Sequence, residues 1–302
     1  MNNINNIVKG YSKIDLEKNY KEALKDNDFK EFVNKFKLKD EVKEKYTSSL
    51  EESYKEYSNC MNCKGLMECK NSIVGCAYLP KVDNGKLLFQ YKACKYKNKE
   101  LKQNKYKDNI TLFETSKSVI DASMKNIITK YDARFEVIKW IKDFITDYPT
   151  NKNLKGIYLY GNFGCGKSYL LSAMLNELAK EGYKSTIVFY PEFLRKLKES
   201  FDTDFNSKMY NVIHTPILLL DDIGAENVTS WNRDEILSTI LQYRMDNNLP
   251  TLFTSNLSIE ELETHLSYSS NKEDVLKAKR IIERIKKLTI EKEIISVNLR
   301  NQ

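Results

Sequence analysis

From about residue 14 to residue 57 the apolar positions return at helical intervals. Phe29, Phe32, Val33 and Phe36 fall at i, i+3, i+4 and i+7, and Val42, Tyr46, Leu50 and Tyr54 continue in four-residue steps. Such stripes predict amphipathic helices with one face in a core or on a partner helix. Near residue 83 the pattern changes. Asp83-Asn84-Gly85 reads as a turn, with residues 86–91 as the returning strand of a hairpin. Residues 96–110 are polar and Lys-rich and read as a linker. A helical stretch over 134–145 opens a second pattern, in which apolar runs alternate with helical periods. The runs are Gly156-Ile157-Tyr158-Leu159-Tyr160, Ile217-Leu218-Leu219-Leu220 and Thr251-Leu252-Phe253-Thr254, and a last strand is expected over 288–297. Continuous apolar runs of this length predict buried parallel strands of an α/β sheet. Three regions follow: 1–105, a linker over 106–133, and 134–302.

The first apolar run leads into Gly161-Asn162-Phe163-Gly164-Cys165-Gly166-Lys167-Ser168, and Tyr169 begins a helical pattern. G-x-x-x-x-G-K-S between a strand and a helix is a phosphate-binding loop. Its glycines let backbone N–H groups turn toward phosphates, and the helix N-terminus adds partial positive charge. Lys167 is expected to reach the β- and γ-phosphates of ATP, and the Ser168 hydroxyl to sit on Mg²⁺. The second run ends in Asp221-Asp222, at the sheet edge where α/β proteins bind ligands. Asp221 is expected to hold Mg²⁺ and Asp222 to polarise the attacking water. Asn256, at the end of the third run, is placed to report on the γ-phosphate.

Five of the six cysteines cluster in the first region: Cys60, Cys63, Cys69, Cys76 and Cys94. Cys60-Met61-Asn62-Cys63 is a C-x-x-C knuckle, able to supply two corners of a zinc tetrahedron. No βαβ unit accompanies it, which argues against a redox motif. The expected ligand set is Cys60, Cys63, Cys76 and Cys94, the hairpin bringing Cys94 back to the knuckle. Cys69 is the spare, and its exchange with Cys76 or Cys94 stays open. His214 and His265 lie in the other region and are not expected to be ligands.

At 302 residues and 41% hydrophobic content the chain can bury two cores. No stretch reads as a membrane span and the N-terminus lacks a signal-peptide pattern, so a cytoplasmic protein with reduced cysteines is expected. The net charge of +7 belongs to the first 105 residues, which carry 22 lysines against 15 acids. Such a face suits an acidic protein surface or a nucleic-acid backbone.

The loop, Leu218-Leu219-Leu220-Asp221-Asp222-Ile223-Gly224-Ala225-Glu226, Ile240-Leu241-Gln242-Tyr243-Arg244 and Phe253-Thr254-Ser255-Asn256-Leu257 together resemble the AAA+ helicase loaders of bacterial replication. The DnaI type, with a cysteine-rich domain ahead of the ATPase, is the most similar pattern; DnaC and the transposition helper IstB are sister types. The resemblance implies a RecA-like AAA+ P-loop ATPase domain preceded by a small helical, zinc-binding domain that binds the replicative DnaB-type helicase hexamer. It implies that Arg280 and Arg284 form an R-x-x-x-R box, one of them an arginine finger acting on a neighbouring subunit. Only 46 residues follow Asn256, so a C-terminal helical lid is not expected, and Arg280 is the candidate for the lid's missing arginine. The site would then be open until a neighbour covers it, with weak ATPase activity in the monomer that rises on self-assembly. Arg195, Lys196 and Lys198 beside Phe193 are expected to face single-stranded DNA. Trp231 and Arg233 are expected at a subunit interface. The implied activity is ATP-dependent loading of the helicase onto single-stranded DNA. The alternatives are an IstB-like transposition helper and a zinc adaptor whose nucleotide domain is a scaffold.

Overall fold

The computed structural model describes residues 13–199, 204–267, 271–295 and 297–299. They fall into two compact units, Met1–Lys105 and Tyr106–Gln302.

The first unit begins with α1 (Lys13–Ala23), α2 (Asn27–Asn34), α3 (Asp40–Glu44) and α4 (Thr47–Met61). The hairpin β1 (Cys76–Asp83) and β2 (Lys86–Ala93) follows, then α5 (Lys95–Asn104). Tyr20, Phe29, Val33, Leu50 and Leu87 form its core. The expected stripe holds over Phe29, Phe32 and Val33 of α2, whose N-terminus is capped by the Asp26 carboxylate accepting from the N–H groups of Asp28 and Phe29. It breaks at Tyr46, which leaves the helical conformation between α3 and α4 and is 38% exposed. The hairpin turn is as expected: Asn84 and Gly85 both take positive φ, which joins twisted antiparallel strands.

Residues 96–110 are not a linker. α5 occupies most of them, because Lys, Glu, Leu and Gln are good helix formers even when nothing is buried. Nor do residues 106–133 lie outside the ATPase unit. They contribute β3 (Ile110–Phe113) and α6 (Lys117–Ile120). Strand β3 pairs in parallel with β5 (Ser185–Phe189), and the Asn176 amide holds the following turn by donating to Ile120 O and Ala122 O.

The second unit continues with α7 (Phe135–Asp147), β4 (Gly156–Gly161) and α8 (Lys167–Lys180). After β5 come α9 (Tyr190–Glu199), α10 (Phe205–His214) and β6 (Ile217–Asp221). A π-helical segment, Trp231–Leu237, runs into α11 (Ser238–Asp246), followed by β7 (Thr251–Ser255), α12 (Ile259–Leu266), α13 (Lys272–Leu288) and β8 (Thr289–Ile294). The six strands form one parallel sheet in the order β3-β5-β6-β7-β4-β8. Alternation along each strand divides the core in two. Ile217 and Leu219 join the cluster under α7 and α8, whereas Leu218 and Leu220 join the one under α9 to α13. The last strand is shorter than expected, ending at Ile294. No described helix is long and apolar enough to cross a membrane.

β4 and β7 approach so closely that a Cβ on Gly156 would stand 1.8 Å from Thr251 O. Gly156→Ala is therefore expected to destabilise the second unit by about 3 kcal/mol or more, the upper end for overpacking. Denaturant unfolding of the variant checks this.

Candidate functional site

The sheet order places the C-terminal ends of β6, β7 and β4 side by side. Three sequence-distant signals therefore meet. Gly161, Gly164 and Gly166 all have positive φ, the conformation the loop after β4 needs. Gly166 stands at the N-cap of α8, so the first N–H groups of that helix open onto the loop. The Lys167 ammonium donates to Gly161 O at 2.8 Å, Asn162 O at 2.9 Å and Asn256 Oδ1 at 2.9 Å, and lies 3.8 Å from Cys165 Sγ. The Asn256 amide in turn donates to Asp222 Oδ1 at 3.1 Å. Lys167, Asn256 and Asp222 thus form one chain of contacts. Burial lowers the Lys167 pKa, and Cys165, Asp222 and Asp221 act against that shift.

Asp221 is 5% exposed and accepts from the Thr254 hydroxyl at 2.6 Å. Burial raises its pKa; hydrogen bonds from Ser168 and Thr254 pull the other way. The same Thr254 oxygen accepts the Asp222 N–H at 2.9 Å. It pins the turn where Asp222 adopts the left-handed conformation, φ 60°. Thr254 was not singled out from sequence; its position one strand over from Asp221 is a property of the sheet order. Glu226 is buried as well, its carboxylate accepting from Gly224 N and its pKa raised by burial.

Lys167, Asp221, Asp222, Thr254 and Asn256 line a cleft of about 1080 Å³ together with Phe163, Gly164, Gly166, Ser168 and Tyr169. The Tyr169 hydroxyl accepts from Ser123 N, tying the start of α8 to the segment before α7. The residues fit Mg²⁺-nucleotide: glycines at positive φ, a helix N-terminus, an ammonium, a hydroxyl and a buried carboxylate converge on one space.

The arginines separate into three kinds. On α13, Arg284 donates to Ser238 O at 3.1 Å and Ser238 Oγ at 2.6 Å, whereas Arg280 is exposed. Arg233, expected at an interface, is 1% exposed and ion-paired with Asp234 at 2.6 Å and Asp274 at 2.7 Å. It joins the π-helical segment to α13 and cannot meet another subunit. Trp231 packs part-buried against the core. On α9 the expected DNA face is also altered. Phe193 is 1% exposed and packs edge-on against Phe113, so no base can stack on it, and Arg195 is paired with Glu192 and Glu199. Lys196 and Lys198 remain on the outer side of α9.

In the first unit Cys60, Cys63, Cys69, Cys76 and Cys94 line one cavity of about 280 Å³. The hairpin register sets Cys76 opposite Ala93, and Cys94 N donates to Gly75 O. Gly75 N points at Cys69 Sγ and Lys97 N at Cys94 Sγ, both within 3.5 Å. Burial raises the Cys60 pKa, and the cysteines that add to this are Cys69, Cys94 and Cys63. Cys69 therefore belongs to the cluster as closely as the four expected ligands. Among the described residues no three of these side chains already stand at metal-ligand spacing.

A family model described as "IstB-like ATP binding protein" matches residues 128–302. The chain is 38% identical to the replicative helicase loader DnaI of Bacillus subtilis, over 89% of this chain and 88% of that one. The chain belongs to the IstB-like ATP-binding proteins, and within them to the DnaI-type loaders. A solved structure of DnaI is 42% identical, with TM-score 0.58, covering 62% of this chain and 98% of that one. The replicative helicase loader DnaC of Escherichia coli matches more distantly, 20% identical over 47% of this chain and 58% of its own. The expected RecA-like AAA+ fold and nucleotide binding agree with these relatives.

Removing the ammonium from Lys167 deletes a charge-assisted contact worth about 1.5–3 kcal/mol. Lys167→Ala is therefore expected to weaken nucleotide binding by roughly 10- to 100-fold, measured by titration calorimetry. Asp221 gives a pH signature. Because its pKa is raised, its contribution to stability is complete in acid and is lost as pH rises through the folded value. Asp221→Asn keeps an acceptor for Thr254 and drops the charge. In nucleotide-free protein its melting temperature should exceed wild type at neutral pH, the gap closing as pH falls.

Proposed function

We propose that the chain is an ATP-dependent loader of the replicative DNA helicase, acting in the cytoplasm at replication initiation or restart. The observation that carries this is the extent of the DnaI match, which spans both units, whereas the IstB-like model covers the ATPase unit only. An IstB-like transposition helper accounts for half of the molecule and leaves the cysteine unit unexplained.

The division of labour follows from the residues. Phosphate is received by the N–H groups of the loop from Gly161 to Tyr169, by Lys167 and by Ser168. Mg²⁺ would be held by Ser168 and Asp221, and it supplies charge neutralisation at the phosphates. Asp222 orients the attacking water and Asn256 senses the γ-phosphate. An aspartate is one methylene shorter than the glutamate many AAA+ ATPases use here, which favours slow basal hydrolysis. Arg280, exposed on α13, is the finger offered to the next protomer, and Arg284 anchors that helix to Ser238. Zn²⁺ would be held by four of the five clustered cysteines, Cys60 and Cys63 among them, and would supply a structural tetrahedron in place of a larger core. The lysine-rich first unit is the helicase-binding part. Lys196 and Lys198 offer α9 a phosphate contact to single-stranded DNA without base stacking.

Two experiments test this. The full chain should co-elute with a hexameric replicative helicase and contain about one zinc per chain, as a single structural site requires. Cys60→Ser should lose both the metal and the co-elution, while Lys167→Ala keeps both. Co-elution with a transposase instead of a helicase would overturn the reading. For hydrolysis, an arginine finger is worth on the order of 10³-fold. Neither Arg280→Ala nor Lys167→Ala protein should hydrolyse ATP appreciably alone, yet their mixture should, because it joins an intact pocket to an intact finger. An inactive mixture of variants that still assemble would show that Arg280 does not act in trans.

A further inference from the structure

Arg134 sits at the end of the short turn Asp132–Arg134 and caps α7. It is 1% exposed, among the largest fully buried side chains of the molecule. Its Nε and Nη1 atoms are buried with no hydrogen-bond partner among the described residues. Arginines elsewhere in this unit are treated differently. Arg244, also buried, satisfies its guanidinium with Thr251 Oγ1 and the carbonyls of Thr215 and Pro250, and Arg233 has two carboxylates. A buried guanidinium without an anion is costly, so one left so needs a partner that comes and goes. Among the described residues, the groups whose charges act on Arg134 are Cys165 and Tyr131.

The side chain lines the nucleotide cleft. Its Nη2 lies 3.4 Å from where a Cβ on Gly166 would stand, and Leu299 Cδ1 lies 3.6 Å from the same point. The Lys167 ammonium points the other way, toward Gly161 O and Asn256. The two cations therefore flank the phosphate loop, Lys167 at its Gly161 end and Arg134 at its Gly166 end with Leu299 beside it, and Val119 and Ile127 line the same cleft. An apolar wall suits a base, and a cation between wall and loop suits the phosphate next to the ribose.

Building on the nucleotide reading above, we propose that Arg134 is a second cationic ligand of the bound nucleotide, supplied in cis, its guanidinium donating to the phosphate nearest the base. In the empty protein it is a stored cost; binding relieves it.

The test is ADP titration of wild type, Arg134→Met and Arg134→Lys, with the melting temperature of each nucleotide-free protein. A phosphate ligand predicts opposite signs. Arg134→Met should bind ADP roughly 10-fold or more weakly while its nucleotide-free melting temperature stays level or rises, because an unpaired buried charge has gone. Arg134→Lys should recover part of the affinity. If Arg134→Met does not fold, Arg134→Gln is read the same way. ADP affinity within twofold of wild type would overturn the proposal. So would a fall in melting temperature alongside affinity, with lysine no better than methionine, since that is a structural role. If wild type itself does not bind ADP, the nucleotide reading fails first.

Discussion

A buried ammonium at the edge of a parallel sheet organises the ATPase unit. Lys167 can sit there because the carbonyls of Gly161 and Asn162 and the amide oxygen of Asn256 replace its water. Each partner has its own requirement. The carbonyls turn inward only on a loop whose glycines accept positive φ. Asn256 reaches the ammonium only if β7 lies beside β4, and its other hand fixes Asp222. The two-sided core, the close approach at Gly156 and the Thr254 clamp on Asp221 and Asp222 all serve to keep these three strand ends in register.

The same arrangement explains why the site waits for partners. Asp221 and Arg134 are buried groups, and burial pushes the Asp221 pKa up and the Arg134 pKa down. On the proposed reading a magnesium nucleotide brings the cation for the first and the anion for the second. Arg280 is exposed on α13, in contrast to Arg284, Arg233 and Arg244, which are held within the unit.

Local signals made much of this legible in the sequence. The phosphate loop, the acidic strand end and the Asn-Gly hairpin each declare themselves within ten residues, because a glycine at positive φ or an apolar run ending in acids has few other uses. What escaped was set by distance or by ambiguity of face. Arg233 finds Asp274, 41 residues away, and no spacing rule marks that pair. Phe193 and Arg195 lie on one amphipathic helix whose buried side is chosen by the sheet, and Phe113 chose it. Strand β3 is four residues long, and α5 buries nothing, so both read as linker. Thr254 sits inside the motif ending at Leu257 and Arg134 inside none, and the part each plays appears only when its neighbours in space are known.

We propose that this chain places a helicase on single-stranded DNA under the control of its nucleotide site. The direct measurement is unwinding of a forked duplex by a replicative helicase, with the fork's single strand covered by single-strand-binding protein. Wild-type chain with ATP should start unwinding that the helicase alone does not start, and Lys167→Ala should bind the helicase yet fail to do so. Unwinding equally stimulated by Lys167→Ala, or unaffected by wild type that is bound to the helicase, would contradict the account.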